Sequence, residues 1–248
     1  NPFKTITAAL NLIDASIDNP ITLNLSNGDY SSDTGELFPI YLPSYITLSG
    51  YEEDNTVINL NDNQGFIIIN QLNISFNNLT ITNGNYFNNS ILFDMWQGSH
   101  DVGGAIHIES SVVNFDSVIF TNNRSTLGGA IYIKDDAVDC ASLGLGHVII
   151  NNSKFDGNYA LGGGGAIFNY LSRLDLNNTT FNNNSTGSPL GANIGKGGGA
   201  IGAYNGITYI NNSIFSYNES NLDGGAINLI GNWCNWDLQL LDIFDSKF

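Results

Sequence analysis

Three aspartates, Asp135, Asp136 and Asp139, lie close together in one insertion of the chain, directly after Lys134. Clustered carboxylates are oxygen ligands of the kind that Ca²⁺ prefers, and a nearby lysine can serve as the general base of a polysaccharide lyase. A solvated acidic loop has the same composition, and we favour that interpretation. The sequence therefore predicts no cofactor, with weak Ca²⁺ binding at these aspartates as the alternative.

The remaining acidic and histidine residues form no catalytic pattern. A glycoside hydrolase needs two carboxylates on one exposed face. Four carboxylates stand singly along the chain instead: Asp116, Asp156, Asp175 and Glu109. The histidines, at positions 100, 107 and 147, have no ligand spacing and no cysteine partner, so a zinc site is not indicated. We therefore predict no catalytic residues and a non-enzymatic protein, with a polysaccharide lyase or hydrolase as the alternative.

Aromatic side chains are concentrated in two segments that read as protruding loops, 84–102 and 231–240. Aromatic rings on loops can stack on sugars or anchor a protein partner. We predict that the ligand, a glycan or a protein on another surface, is bound by four of them: Tyr86, Trp96, Trp233 and Trp236. The alternative is that these rings pack against the flank of the molecule and seal it.

Two short motifs alternate along the chain and predict how it is built. Gly-Gly-Ala-Ile occurs five times, beginning at Gly103, Gly128, Gly164, Gly198 and Gly224. Phe-x-x-Asn occurs between these copies, and we expect it to form two internal ladders: Phe120, Asn123, Phe155, Asn158, Phe181, Asn184, Phe215 and Asn218. Such repetition is typical of a solenoid, in which each repeat packs only on its neighbours.

The residues upstream of each Phe indicate strands rather than helices. Apolar residues stand seven and five positions before it, as in Leu174 and Leu176 before Phe181, which is the period of a strand with one buried face. Asn pairs such as Asn177-Asn178 suit tight corners, because Asn tolerates left-handed backbone. The shortest repeat has 25 or 26 residues, too few for a propeller blade. The prediction is an all-β, three-sided, right-handed parallel β-helix with eight or nine coils.

The N-terminal part differs from the repeats. Within residues 3–17, apolar side chains recur at helical spacing, which predicts a short amphipathic helix that caps the open end of the stack. We expect residues 1–60 to contain this cap and the first coils, and 61–248 to contain the repeat coils of the same β-helix, continuing beyond 248.

The charge balance disfavours two classes of partner. The chain has 7 Lys+Arg and 23 Asp+Glu, a net charge of −16, which repels nucleic acid and anionic membrane surfaces. No run approaches the ~18 apolar residues that suggest a membrane span. The two cysteines, Cys140 and Cys234, give no disulfide framework. We predict no nucleic-acid partner and no membrane insertion.

Two resemblances add to this reading. Residues 3–58, with FKTITAAL and ITLSGY, resemble an N-terminal domain of unknown function at the head of bacterial and archaeal parallel β-helix proteins. Residues 74–248, with the GGAI and FxxN motifs, resemble the polymorphic outer membrane protein repeats of chlamydial surface proteins, which also occur in adhesin-like proteins of methanogenic archaea. The resemblance implies an extracellular or surface-displayed adhesin, structural stalk or self-associating filament component, and it implies no particular ligand.

Overall fold

The computed structural model describes residues 2–87, 103–135, 146–187, 197–221, 223–231 and 240–248. Within these ranges, the regular elements are short β-strands except for one α-helix and one 3-10 helix. Each strand pairs in parallel with strands of the preceding and following coils, and the strands form four columns. Within one coil the chain passes through the first, second, third and fourth columns in that order.

The first column consists of β1 (Ile21–Leu25), β4 (Ile46–Gly50), β7 (Ile74–Thr82), β10 (Val112–Thr121), β13 (His147–Asn151), β17 (Arg173–Asn177), β21 (Ile207–Asn211) and β25 (Leu240–Phe244). The second column consists of the C-terminal halves of β7 and β10 together with β2 (Gly28–Tyr30), β5 (Thr56–Asn59), β14 (Lys154–Asp156), β18 (Thr180–Asn182) and β22 (Ile214–Ser216). These two columns form one thirteen-stranded sheet.

The third column is a five-stranded sheet that consists of β8 (Asn85–Tyr86), β11 (Arg124–Leu127), β15 (Tyr159–Gly163), β19 (Ser185–Thr186) and β23 (Glu219–Ser220). The fourth column is a seven-stranded sheet that consists of β3 (Ile40–Tyr41), β6 (Phe66–Ile69), β9 (Ile106–Glu109), β12 (Ile131–Lys134), β16 (Ile167–Tyr170), β20 (Ile201–Tyr204) and β24 (Ile227–Ile230). Three sheets therefore enclose the core, and the predicted fold, a three-sided right-handed parallel β-helix, is confirmed. The described first column has eight strands, one for each coil.

The predicted N-terminal helix is present but short, since α1 spans only Ile6–Leu10. Thr5 caps it, because its Oγ1 accepts a hydrogen bond from the backbone N–H of Ala8 at 3.0 Å. The carboxylate of Glu36, which is 2% exposed, accepts hydrogen bonds from the N–H groups of Ile6 and Thr7. Glu36 thus satisfies first-turn donors that have no partner within the helix and ties α1 to the coil that contains the 3-10 helix Ser32–Thr34.

The same sheets run through the predicted boundary at residue 60. In the first column β4 pairs with β7, and in the fourth column β3 pairs with β6, so coils on both sides of the boundary share their strand pairing. The division into 1–60 and 61–248 therefore separates parts of one continuous stack, and its exact place stays a prediction.

A single column of phenylalanine rings fills the interior behind the second column of strands. Consecutive rings of Phe120, Phe155, Phe181 and Phe215 are stacked with centroids 4.7–4.8 Å apart and interplanar angles of 9° or less. Phe248 continues the column, 4.9 Å from Phe215. The strand register enforces this column, because each Phe pairs with the next in sequence order.

Asn side chains form a ladder at the corner between the second and third columns. The Nδ2 group of each Asn donates to Oδ1 of the next: Asn123 to Asn158 at 3.1 Å, Asn158 to Asn184 at 2.9 Å, and Asn184 to Asn218 at 3.0 Å. Each Oδ1 also accepts from the backbone N–H of the preceding Asn, as Asn184 accepts from Asn158 at 3.1 Å. The buried side chains thereby satisfy the backbone groups that the corner frees from the sheets.

The other corners depend on left-handed backbone. Between the first and second columns one residue turns the chain, and the second Asn of each predicted Asn pair occupies this place: Asn78, Asn152, Asn178 and Asn212, with φ between 46° and 52°. In four GGAI motifs the first glycine is left-handed, with φ between 59° and 77°: Gly128, Gly164, Gly198 and Gly224. The second glycine permits close stacking, because a Cβ on Gly165 would lie 2.0 Å from the carbonyl oxygen of Gly199 in the next coil.

Candidate functional site

The predicted binding and metal residues divide between the described and the undescribed parts of the chain. Trp96, Trp233, Trp236, Asp136 and Asp139 lie outside the described residues, as do both cysteines. Only Tyr86 and Asp135 can be placed, so the predicted ligand roles of all these residues stay predictions.

Asp135 is a buried residue at the end of the fourth-column strand β12, and it is 3% exposed. Its Oδ2 accepts a hydrogen bond from the backbone N–H of Gly146 at 2.7 Å, and its Oδ1 accepts one from the Ser110 hydroxyl at 3.0 Å. The carboxylate therefore joins the residues on both sides of the segment 136–145, a structural contact that the sequence did not suggest. Within the described ranges, no group of three or more metal-ligating side chains is present.

Tyr86 lies in the strand β8, whereas the sequence predicted a protruding loop from residue 84. That expectation was wrong for residues 85 and 86, because the third column of strands begins there. The register pairs Tyr86 with Ser125, and Ser125 pairs with Ala160 in the next coil. Ser125 and Ala160 are fully buried, so the backbone places Tyr86 on the inward row of this column.

Several outward side chains of β12, β16 and β20 in the seven-stranded sheet are aromatic and largely shielded from solvent. Tyr132 stacks on Phe168 with centroids 6.1 Å apart, and Tyr170 stacks on Tyr204 at 5.2 Å. Burial raises the pKa of Tyr170 and of Tyr204 above the ordinary value for a phenol. With Leu127, three of these rings form a second hydrophobic cluster outside the main core. The part of this face formed by β12, β16 and β20 is consequently packed, whereas Tyr41 on β3 is 67% exposed.

A cluster of polar side chains with one aromatic ring lies on the outer face of the first column, and we take it as the candidate site. It consists of His147 on β13, Arg173 and Asp175 on β17, and Tyr209 on β21. The register pairs His147 with Arg173 and Asp175 with Tyr209, so three adjacent coils contribute to one surface. Their neighbours along each strand, such as Leu174 and Leu176, point into the core and fix this outward direction.

Hydrogen bonds hold the cluster in a defined arrangement. Nε of Arg173 lies 3.0 Å from Oδ1 of Asp175, and Nη2 lies 2.8 Å from Oδ2. Nε2 of His147 lies 2.9 Å from the same Oδ2. The guanidinium carbon of Arg173 also lies 4.9 Å from the centroid of the Tyr209 ring. Such two-point Arg–carboxylate pairs and cation–π contacts give geometric specificity as well as attraction.

The electrostatics of the cluster follow from these contacts. The hydrogen bond to Asp175 raises the pKa of Arg173, against the opposing effect of burial. The guanidinium stays charged under all ordinary conditions. The side chains are 45% exposed for Arg173, 29% for His147 and 17% for Asp175, so the surface is open to a ligand in solution.

Reading residues one at a time missed this site. In the sequence Asp175 is an isolated carboxylate and His147 is a histidine without a nearby partner; the structure brings the two side chains together across adjacent coils. A signal was available in the repeat itself. Counted back from the ladder Phe, His147 and Arg173 stand eight positions upstream, and Asp175 and Tyr209 stand six upstream, so they share outward rows.

The fold defines the class of the molecule: it is a parallel β-helix, and its candidate site lies on the outer face of a sheet. The sequence profile of the family described as "Protein of unknown function (DUF1565)" matches residues 1–223, and the chain belongs to this family. Within the described residues, no helix is long and apolar enough to cross a membrane. No curated protein matches the chain in sequence.

Several solved structures resemble the chain weakly. A pectin methylesterase from Yersinia enterocolitica has a TM-score of 0.46 and 13% identity over 99% of this chain and 90% of its own. A pectin methylesterase in complex with a hexasaccharide has a TM-score of 0.47 and 14% identity over 98% and 84%. A PL6 family alginate lyase has a TM-score of 0.31 and 13% identity over 93% and 37%. At these values the likeness concerns the β-helical fold, and we infer no function from it.

Proposed function

We propose that this protein is a non-catalytic, extracellular β-helix of a cell surface, an adhesin or structural stalk, and that it binds a glycan on the outer face of the first column. The observation that carries the proposal is the exposed row formed by His147, Arg173, Asp175 and Tyr209. The resemblance of the GGAI and FxxN motifs to repeats of microbial surface proteins supports the location and the adhesive role.

The chemistry of the row suits saccharides. An aromatic ring offers its face to the apolar side of a sugar, and planar polar groups bind hydroxyls at fixed angles. Beside the cluster, exposed amides continue the polar surface, since Asn178 donates to Asn152 at 3.2 Å and Asn177 donates to Asn151 at 3.0 Å. Strands in neighbouring coils stand ~4.8 Å apart, so polar groups recur at a regular interval along the axis.

The same contacts favour binding over catalysis. Both carboxylate oxygens of Asp175 already accept hydrogen bonds from Arg173, and Oδ2 also contacts His147. A general acid or base must be within reach of a substrate proton, and a carboxylate engaged on both oxygens is poorly placed for this. The partly exposed His147 imidazole is the observation that favours the alternative, a polysaccharide lyase or hydrolase.

A glycan array with purified protein tests the binding proposal. We expect wild-type protein to bind at least one glycan, and Tyr209→Ala to weaken that binding about tenfold, since stacking on an aromatic ring contributes roughly 1–3 kcal/mol in comparable ring-on-ring contacts. Tyr51→Ala is the matched control, because Tyr51 is 73% exposed and lies outside the cluster. Equal losses in both variants, or no binding to any glycan, would overturn the proposal.

Three further experiments separate the other roles. Trp96→Ala and Trp233→Ala on the same array test the binding role predicted for those tryptophans. Release of product from a panel of acidic polysaccharides, with and without Ca²⁺, would replace the binding role by the enzymatic alternative. Electron microscopy at high protein concentration tests the filament role, for which only monomers would be a negative result.

A further inference from the structure

Arg124 occupies a second exposed surface, on the outer face of the five-stranded sheet, away from the cluster around Arg173. Its guanidinium carbon lies 5.5 Å from the centroid of the Phe87 ring. The Phe87 ring in turn lies 6.2 Å from the ring of Tyr159, which is the register partner of Arg124 in the next coil. Arg124 is exposed and both aromatic residues are half-buried, so the cation lies at the surface beside two partly accessible rings.

Arg124 has no carboxylate partner among the residues that the structure describes. Three other basic residues of the described chain each pair with a carboxylate: Lys134 with Glu109, Lys154 with Asp156, and Arg173 with Asp175. Within the described ranges, Arg124 forms no ion pair. Among the described basic residues, Lys4 and Lys247 also form no ion pair, and Arg124 differs from them in lying over an aromatic ring.

The residues beside Arg124 in the neighbouring coils explain why it forms no ion pair with a described residue. Its register partners on the two sides, Asn85 and Tyr159, are uncharged. Beyond Tyr159 the row continues through Ser185 to Glu219, three strands away and therefore about 14 Å distant at ~4.8 Å per strand. On the other side of Arg124, the carboxylate of Asp62 contacts Asn85, with its Oδ1 3.5 Å from Asn85 Nδ2.

We propose that Arg124, Phe87 and Tyr159 form a binding site for an acidic sugar, a saccharide unit that bears a carboxylate. The guanidinium supplies the two-point donor that a carboxylate prefers, and the rings supply faces for the sugar body. Gly187 leaves room for this arrangement, because a Cβ there would lie 2.3 Å from the Tyr159 hydroxyl oxygen. The inference rests on the proposed glycan binding for its ligand class, but it assigns the acidic specificity to a different face.

The test compares two ligands that differ only in the acidic group: a hexamer of β-1,4-linked glucuronate and cellohexaose, which has the same linkage and a hydroxymethyl group instead. Calorimetry at physiological salt should give the glucuronate hexamer at least about tenfold tighter binding, since a hydrogen bond to a charged group contributes roughly 1.5–3 kcal/mol. Arg124→Gln should abolish this preference. Lys154→Gln, the matched control, should leave it intact because that lysine is paired with Asp156 and lies outside both proposed sites.

The remaining variants separate charge from stacking. Tyr159→Ala should weaken both hexamers alike, since its ring recognises the sugar body and not the carboxylate. Circular dichroism and thermal melting confirm folding, and the exposed position of Arg124 predicts an unchanged melting curve for Arg124→Gln. Equal affinity for the two hexamers, or an acidic preference that survives Arg124→Gln, would overturn this inference.

The two proposals fail in distinguishable ways. If the array detects glycans whose binding depends on Tyr209 while the glucuronate preference is missing, the site at Arg124 is disproved and the general role stands. If no glycan binds anywhere, both are disproved. If glucuronate binds through Arg124 but nothing depends on Tyr209, the inference holds and the candidate site on the first column is disproved.

Discussion

The inside and the outside of a single coil differ in whether the same residue types recur in the neighbouring coils. The coil that runs from Arg173 to Thr186 shows both cases. Inside, Phe181 and Asn184 contact the same residue types in the coils above and below them. Outside, Arg173 faces His147 on one side and Ile207 on the other. The interior rows repeat and the exterior rows vary, which indicates that the interior maintains the stack while the exterior is free to acquire a function.

The largest effect should come from breaking an interior row at its middle. Phe181→Ala removes a ring that is fully buried between Phe155 and Phe215 and leaves a cavity that two flat neighbours cannot fill. We expect a loss of about 3–5 kcal/mol in the free energy of unfolding. Urea unfolding followed by circular dichroism measures it, and a loss below about 1 kcal/mol would show that the ring column is not a main source of stability.

The second prediction compares an asparagine inside the β-helix with an asparagine on its outer surface. Asn184→Ala deprives the buried backbone N–H of Asn158 and the carbonyl of Phe155 of their partners, so we expect a loss of about 2–4 kcal/mol. Asn177→Ala removes a comparable side-chain hydrogen bond, to Asn151, on the partly exposed outer row, and the free energy of unfolding should fall by about 0.5 kcal/mol or less. Both variants are measured in the same urea titration, and equal losses would contradict the distinction drawn between interior and exterior.

A smaller effect should appear as a pH dependence on the outside. Burial alone would raise the pKa of Asp156, but the hydrogen bond and charge of Lys154, with the amides of Asn182 and Asn183, hold it below its ordinary value of 3.8. The stabilisation is therefore fully present above pH 3.8 and is lost as the pH falls through the lowered pKa. For such an exposed pair we expect at most about 1 kcal/mol.

The measurement is the thermal midpoint between pH 6 and pH 2.5, values that bracket the ordinary carboxyl pKa. Asp156→Asn should flatten the acid side of the curve slightly and should leave the neutral side lower by the same small amount. A variant curve parallel to that of the wild type over the whole range would mean that this carboxylate makes no contribution of its own.

The interior could be predicted from the sequence because it is periodic. The Phe-x-x-Asn spacing recurs in four successive repeats, so one register assigns Phe120, Asn123 and their successors to two columns, and tight packing leaves no second arrangement. The Asn corners could be predicted because Asn adopts left-handed backbone more readily than most other non-glycine residues, although Ser117 does the same in the coil that contains Phe120.

The candidate sites could be predicted only in part, for physical reasons. The repeat places His147 and Asp175 on neighbouring outward rows, but their contact is diagonal and depends on side-chain direction, which spacing alone does not provide. The contact between Glu36 and the first turn of α1 joins residues thirty positions apart that share no motif. Arg124 and Phe87 lie on different coils outside any repeat position that the motifs mark.

Identical residues contact one another along the interior rows, and this has a consequence for how the gene can change. Because Phe stacks on Phe and Asn bonds to Asn, a chain that lost or duplicated one whole coil would bring together surfaces that match as well as before. Recombination between the repeated segments would therefore yield folded proteins of different lengths. Each event would also shuffle the outward rows against one another, so that a single recombination could alter what the surface recognises without any compensating change in the core.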